Sequence, residues 1–215
     1  MELLSVIRAR SIWLFDFAEL NPAGKKITAE FLGWLKEYYN FSKAPSSAQD
    51  LDETKALAFL DGSFQIKPDT LAVDLRIYND GFVADTRSTT DSSNEFLNDL
   101  LGNAASQFGL GYKPEKIRRR IYLSELSVKC DKSLEDACPK LKAFADRVTT
   151  ALGRPTKFSS VAWWTDPETQ TAIAQFRFER KYGAAFSDQR YYSVAPLRTD
   201  DHLELLQELE GILSA

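Results

Sequence analysis

The chain contains one histidine, His202, and two cysteines, Cys130 and Cys138, among 215 residues. A single imidazole excludes sites built from several histidine ligands, including the two-histidine helical zinc motif and the two-His-one-carboxylate iron triad. A Ser-His-Asp or Cys-His centre would have to use His202 or borrow a histidine from a partner chain. Two thiols without a neighbouring histidine fall short of the four ligands of a structural zinc site. Their simplest reading is reduced thiols in a cytoplasmic protein, with a Cys130–Cys138 disulfide as the lesser alternative. Glycine is sparse, at ten residues. The closest approach to a phosphate-binding array is Gly102, Gly109 and Gly111, at the wrong spacing, and no GxSxG elbow occurs. No cofactor motif results. The apolar run at 11–15 is far short of the roughly 20 residues a spanning helix needs. No basic start precedes an apolar stretch and a small-residue cleavage site, so neither a signal peptide nor a membrane association is expected. Positive charge is also in deficit: the formal charge is −4 and the pI about 5.2. That balance disfavours a phosphate-reading nucleic-acid binder and an anionic-membrane binder, although it permits a local basic patch.

What is present is ordinary globular composition, 44% hydrophobic and 27% charged, with no EF-hand spacing and no low-complexity tract. Aromatic and β-branched residues over 11–17 predict a strand, broken by Asn21-Pro22-Ala23-Gly24. Ile27, Phe31, Trp34, Leu35 and Tyr38 form one helical stripe, predicting a helix over 27–39. The polar segment 42–55 reads as an exposed loop. Strands are expected over 57–66, 71–78 and 82–87, joined by Lys67-Pro68-Asp69-Thr70 and Asn79-Asp80-Gly81 turns. Thr90-Asp91 caps a helix over 92–108 with Phe96, Leu97, Leu100 and Leu101 inward. A strand over 118–130 and a helix over 133–152 follow, with Pro139 in the first helical turn. Strands over 159–165, 171–180 and 190–195 come next. Thr199-Asp200 caps a last helix ending near 213.

The order strand, helix, three strands, helix therefore occurs twice. Residues 10–17 align with 119–126 (Arg10 with Arg119, Ile12 with Ile121, Leu14 with Leu123), and Thr90-Asp91 aligns with Thr199-Asp200 at the same spacing. Between them, Pro68-Asp69-Thr70 resembles Pro167-Glu168-Thr169, and Leu75-Arg76-Ile77 resembles Phe176-Arg177-Phe178. The expectation is an α+β protein made by internal duplication of a β-α-β-β-β-α unit. Its halves are 1–111 and 112–215, two domains or one integrated domain. The sheets should be mainly antiparallel with helices on one face, and the halves related by a pseudo-two-fold axis. The helix, three strands, helix order is similar to that of double-stranded-RNA-binding domains, and the leading strand and repeat to the saddle of the TATA-binding protein. The former need basic residues at the start of the last helix, where this chain has Thr90-Asp91-Ser92-Ser93 and Thr199-Asp200-Asp201-His202. The latter needs a basic sheet face, against the net charge.

Few residues stand out for chemistry. Lys113, Lys116, Arg118, Arg119 and Arg120 form the densest basic run. They make either a phosphate or acidic-partner patch or, as the simpler reading, a solvated junction that offsets nearby acids. Trp163 and Trp164 adjoin on a predicted strand and so point to opposite faces, which makes an outward one a stacking or partner anchor, unless both are covered. His202, beside Asp200 and Asp201, falls in a helical first turn, where solvation is the rule, and is not expected to be catalytic. Asp61, Asp74, Asp80 and Asp85 read as turn chemistry. Neither a catalytic group nor a metal site is expected. The first expectation is a non-enzymatic interaction or assembly subunit with a protein partner or self-association. The alternatives are a nucleic-acid-binding module using the basic run, and a small-ligand site or enzyme in the seam between the halves.

Overall fold

A computed structural model describes residues 1–21, 29–45, 56–135, 139–166, 168 and 173–214. Cys138, the Pro22-Ala23-Gly24 break, the start of the first helix at Ile27, most of the expected 42–55 loop, and Pro167, Thr169 and Thr171 lie outside them. The described chain is α+β, with eight strands and five helices, and it divides into two compact units. One is Arg8–Tyr122; the other is Leu123–Ala215 together with Met1–Ile7. Among the described residues, no helix is long and apolar enough to cross a membrane.

The Arg8–Tyr122 unit contains most of β1 (Glu2–Leu14), α1 (Phe17–Leu20), α2 (Ala29–Tyr38), β2 (Leu57–Ile66), β3 (Asp69–Tyr78), β4 (Gly81–Thr86) and α3 (Thr90–Phe108). Its sheet runs β2-β3-β4-β1, with every pairing antiparallel. Register places Ser11, Ala84, Leu75 and Phe59 in one cross-strand row, and Trp13, Phe82, Ile77 and Leu57 in the next. All eight are buried. Their face is covered by Phe31, Leu32 and Leu35 of α2 and by Phe96, Leu97, Leu100 and Leu101 of α3. Period-2 apolar strands under 3.6-period helices thus close one core, with both helices on one sheet face.

Two boundaries differ from the sequence expectation for local reasons. β1 begins earlier and ends at Leu14, because Asp16 turns the chain: its carboxylate accepts the Ala18 N–H at 2.9 Å and its carbonyl accepts the Glu19 N–H at 3.0 Å, starting the unanticipated α1. The cap of α3 is Thr89, whose hydroxyl accepts the Ser92 N–H, so Thr90 and Asp91 are already helical. α3 stops at Gly109, whose φ of 68° suits glycine.

The Leu123–Ala215 unit contains most of β5 (Arg119–Lys129), α4 (Pro139–Leu152), β6 (Ser160–Trp163), β7 (Phe176–Arg180), β8 (Arg190–Ala195) and α5 (Thr199–Ile212). β5, β8, β7 and β6 are neighbours in that order, again antiparallel. Leu126, Val128, Phe178 and Tyr191 make its core with Leu206 of α5 and Leu213 just after it, and the Phe178 and Tyr191 rings stack at 4.5 Å. α4 begins at Pro139, so the expected helical residues 133–135 are not helical. No side-chain cap bond precedes α5; Thr199 is its buried first residue. β6 ends at Trp163 and β7 starts only at Phe176, shorter than the strands expected over 159–165 and 171–180.

Both units therefore share one strand order, β2-β3-β4-β1 and β6-β7-β8-β5. Their ladders equate different residues from the sequence alignment. Arg10 faces Asp85 and Glu125 faces Val194, so matching Asp85 to Val194 equates Arg10 with Glu125 and not with Arg119. Leu75 faces Ala84 and Phe178 faces Ser193, which equates Leu75 with Phe178 and not with Phe176. Both displacements are even, which preserves the faces of the strands.

Candidate functional site

An open apolar concavity lies in the Leu123–Ala215 unit. It has a volume of about 430 Å³ and is lined by Trp163, Trp164, Phe176, Leu205, Leu209 and Ile212, with Glu208 among them. Its floor is the end of the β6–β7 ladder, where Trp163 pairs with Phe176 and their rings meet edge to face at 5.4 Å. Its wall is the α5 stripe Leu205, Glu208, Leu209, Ile212, four positions at helical spacing. Exposure is high: Trp163 51%, Trp164 79%, Leu205 40% and Ile212 67%. A β-strand would turn adjacent tryptophans to opposite faces. The strand ends at Trp163 instead, and both indoles line the same groove.

Behind this wall sits His202, which is fully buried and not solvated as its first-turn position suggests. Its Nε2 lies 2.8 Å from Ser193 Oγ, and its ring meets Phe176 edge to face at 5.6 Å. Ser193 donates its hydroxyl proton to the Arg177 carbonyl at 2.8 Å, so it accepts from the imidazole. A serine whose proton is held by a backbone carbonyl is not being activated by the ring. Burial lowers the His202 pKa from 6.5 to about 4, which keeps the imidazole neutral. Ser193 and His202 thus tie α5 to the sheet beneath the groove.

The basic run is spread along the connection into β5 and is engaged with its own unit. Arg118 donates to Glu19 at 2.6 Å and reaches Asp16 at 3.4 Å. The Lys116 ammonium donates to the Glu19 carbonyl at 2.7 Å. Arg120 lies over the Trp13 ring, 4.6 Å from its centroid, and Tyr112 stacks on the same indole at 6.5 Å. Lys113 precedes the 3-10 turn Pro114–Lys116, and Arg119 is an exposed first residue of β5.

A polar cluster not anticipated from sequence occupies the sheet face of the Arg8–Tyr122 unit opposite its helices. Arg10 grips Asp85 with two bonds, Nε at 2.6 Å and Nη2 at 2.8 Å, and Arg76 adds a third at 2.6 Å. Burial works to raise the Asp85 carboxyl, and the two guanidiniums outweigh it and hold it below the usual carboxylate value. Asp85 is therefore a buried ion-pair centre within β4 and not a turn residue. It sits beside a cavity of about 460 Å³ lined by Arg10, Ile12, Leu14, Arg76, Tyr78 and Val83. Two further sequence-level aspartates join each other locally: Asp74 accepts the Asp61 N–H at 2.8 Å where β2 bulges. Among the described residues, no group of three or more His, Cys, Asp or Glu side chains is placed to hold a metal ion. Cys130 is a buried free thiol.

Of the groove, the sequence marked Trp163 and Trp164 and missed Phe176, Leu205, Leu209 and Ile212. A signal existed. α5 and its cap carry two apolar stripes, Leu206 and Leu213 inward and Leu205 and Ile212 outward, where one stripe suffices for a helix covering a sheet. No protein-family model matches the sequence, and no curated protein is similar to it.

Proposed function

We propose that the chain is a non-enzymatic interaction or assembly subunit and that the Trp163–Trp164 groove is its docking surface. The observation that carries this reading is the groove itself. Seven large apolar side chains, Leu197 among them, converge on one concavity, two of them tryptophans at 51% and 79% exposure. Exposed aromatic clusters of this kind with a charged rim characterise protein-docking sites. A cross-linking amino acid placed at position 164 tests it in the native host. Specific adducts at 164, and none at exposed Glu37 in α2 of the other unit, are expected. No adduct at 164 refutes the reading.

The same proposal takes the two halves, 1–111 and 112–215, as copies of one β-α-β-β-β-α ancestor related by a pseudo-two-fold axis. The shared strand order supports it, as does the matching of Thr90 and Thr199 as first residues of the closing helices. The register differences in β5 and β7 mean that the support comes from topology more than from letter-by-letter alignment. Partner recognition in a cytoplasmic setting remains part of this proposal. Contacts of Arg118 and Lys116 with Glu19 leave the nucleic-acid alternative without a comparable observation.

A further inference from the structure

The groove has a counterpart in the Arg8–Tyr122 unit, and there it is filled. Counted from the first helical residues Thr90 and Thr199, Leu205, Glu208, Leu209 and Ile212 of α5 stand where α3 has Phe96, Asp99, Leu100 and Asn103. In α3 these positions are covered by the end of α2. Tyr39 packs edge to face on Phe96 at 5.0 Å and donates its hydroxyl to Asp99 at 2.7 Å, and Asn103 reaches the Tyr38 hydroxyl at 3.4 Å. Phe96 and Leu100 are consequently fully buried. Among the described residues nothing comparable covers α5: Leu205 is 40% and Ile212 67% exposed. The helix holding α2's place in the chain order is α4; its Ala145 is buried and Val148 half-buried, but its larger apolar side chains are left in water. Leu141, Phe144 and Leu152 are 40%, 61% and 59% exposed, although they lie on one helical stripe.

Charge distinguishes the two surfaces. α5 carries Asp200, Asp201, Glu204, Glu208 and Glu210 and no lysine or arginine. α4 carries Lys140, Lys142 and Arg147 against the single Asp146. An apolar groove on an acidic helix, with Glu208 in its lining, and a basic helix whose Leu141, Phe144 and Leu152 stand in water are complementary in both respects.

Building on the docking role proposed above, we infer that the groove takes helix α4 of a second copy of this chain. The exchange is reciprocal, each copy's α4 entering the other's groove, and so closes on a two-fold dimer. Leu141 and Phe144 fill the space between Trp164, Leu205 and Ile212, as Tyr39 does over Phe96. Lys142 and Arg147 meet Glu204 and Glu208.

Sedimentation velocity of the full chain tests this. The mass is expected to rise from 24.3 kDa toward twice that value with concentration, and the dimer to weaken with added salt. The paired substitutions Glu204→Lys with Glu208→Lys, and separately Lys142→Glu with Arg147→Glu, are each expected to weaken the dimer about tenfold or more. All four in one chain restore it, because both contacts regain opposite charge. Phe144→Ser and Trp164→Ser, at exposed sites that leave folding intact, weaken it without altering the monomer's melting. A chain that stays monomeric at every concentration overturns the inference, and so does a dimer that ignores both charge sets or is not restored by their combination. A monomeric chain whose position 164 still cross-links a different protein refutes the second copy as occupant while leaving the docking role standing.

Discussion

Acidification from about pH 7 to about pH 5 is expected to weaken the Leu123–Ala215 unit through His202. The imidazole is fully buried, its Nε2 is bonded to Ser193 Oγ, and its Nδ1 has no hydrogen-bond partner among the described residues. A proton added at Nδ1 would therefore be a buried charge without a compensating acceptor. Burial places the pKa at about 4, against 6.5 for an ordinary histidine. Above the unfolded value both states are neutral, and the stability is fully present. As the pH falls through the interval, the unfolded chain takes up a proton that the folded chain refuses, so stability is lost progressively until the folded pKa is reached. Each pKa unit is about 1.4 kcal/mol, so the full loss is about 3 kcal/mol, and about 2 kcal/mol of it has accrued by about pH 5. Carboxylates such as Asp85 contribute only at lower pH, because their ordinary pKa is 3.8. Urea denaturation followed by tryptophan fluorescence at a series of pH values measures the loss, with His202→Gln expected to flatten it. The chain has one histidine, so the Cε1 proton resonance gives its titration directly. A midpoint near 6.5, or an equal loss in His202→Gln, refutes the argument.

Truncating the two closing helices should have unequal effects. Leu100→Ala removes a fully buried side chain and is expected to cost about 2–5 kcal/mol in chemical denaturation, whereas Leu209→Ala, at a half-buried groove position, costs less than about 2 kcal/mol. Asp85→Asn leaves Arg10 and Arg76 facing each other. It is expected to destabilise the Arg8–Tyr122 unit by about 2–3 kcal/mol, less than a deeply buried pair because both guanidiniums are partly exposed. Tyr39→Phe deletes the bond to Asp99, a contact that with burial raises the Tyr39 pKa well above the usual tyrosine value. Its expected cost is about 1–2 kcal/mol, seen as a lowered urea midpoint with unchanged far-ultraviolet dichroism.

Apart from α1, the types and order of the main helices and strands were legible in the sequence because they depend on periodicity and turn chemistry, which are local. The alternation Leu71, Val73, Leu75, Ile77 against Asp74 and Arg76 specifies a half-covered strand. Thr89 through Ser92 specify a helix start to within a residue, whereas α4 starts at Pro139 and not at the expected 133. Ends failed where one side chain redirected the backbone, as Asp16 does after β1, or where β6 and β7 stop short of their apolar runs. Tertiary structure alone decided the rest. The ladder register follows from packing each whole strand under its helices, so identical letters at Arg10 and Arg119 do not occupy equivalent sites. Asp85 meets Arg10 and Arg76 only because three strands lie side by side. The exposure of Trp163 and Trp164 was set by whether a helix covers α5 as α2 covers α3. Composition cannot report that, because apolar residues buried in a core and apolar residues left open in a groove are the same letters. What distinguishes them is the neighbour that removes one set from water and leaves the other in it.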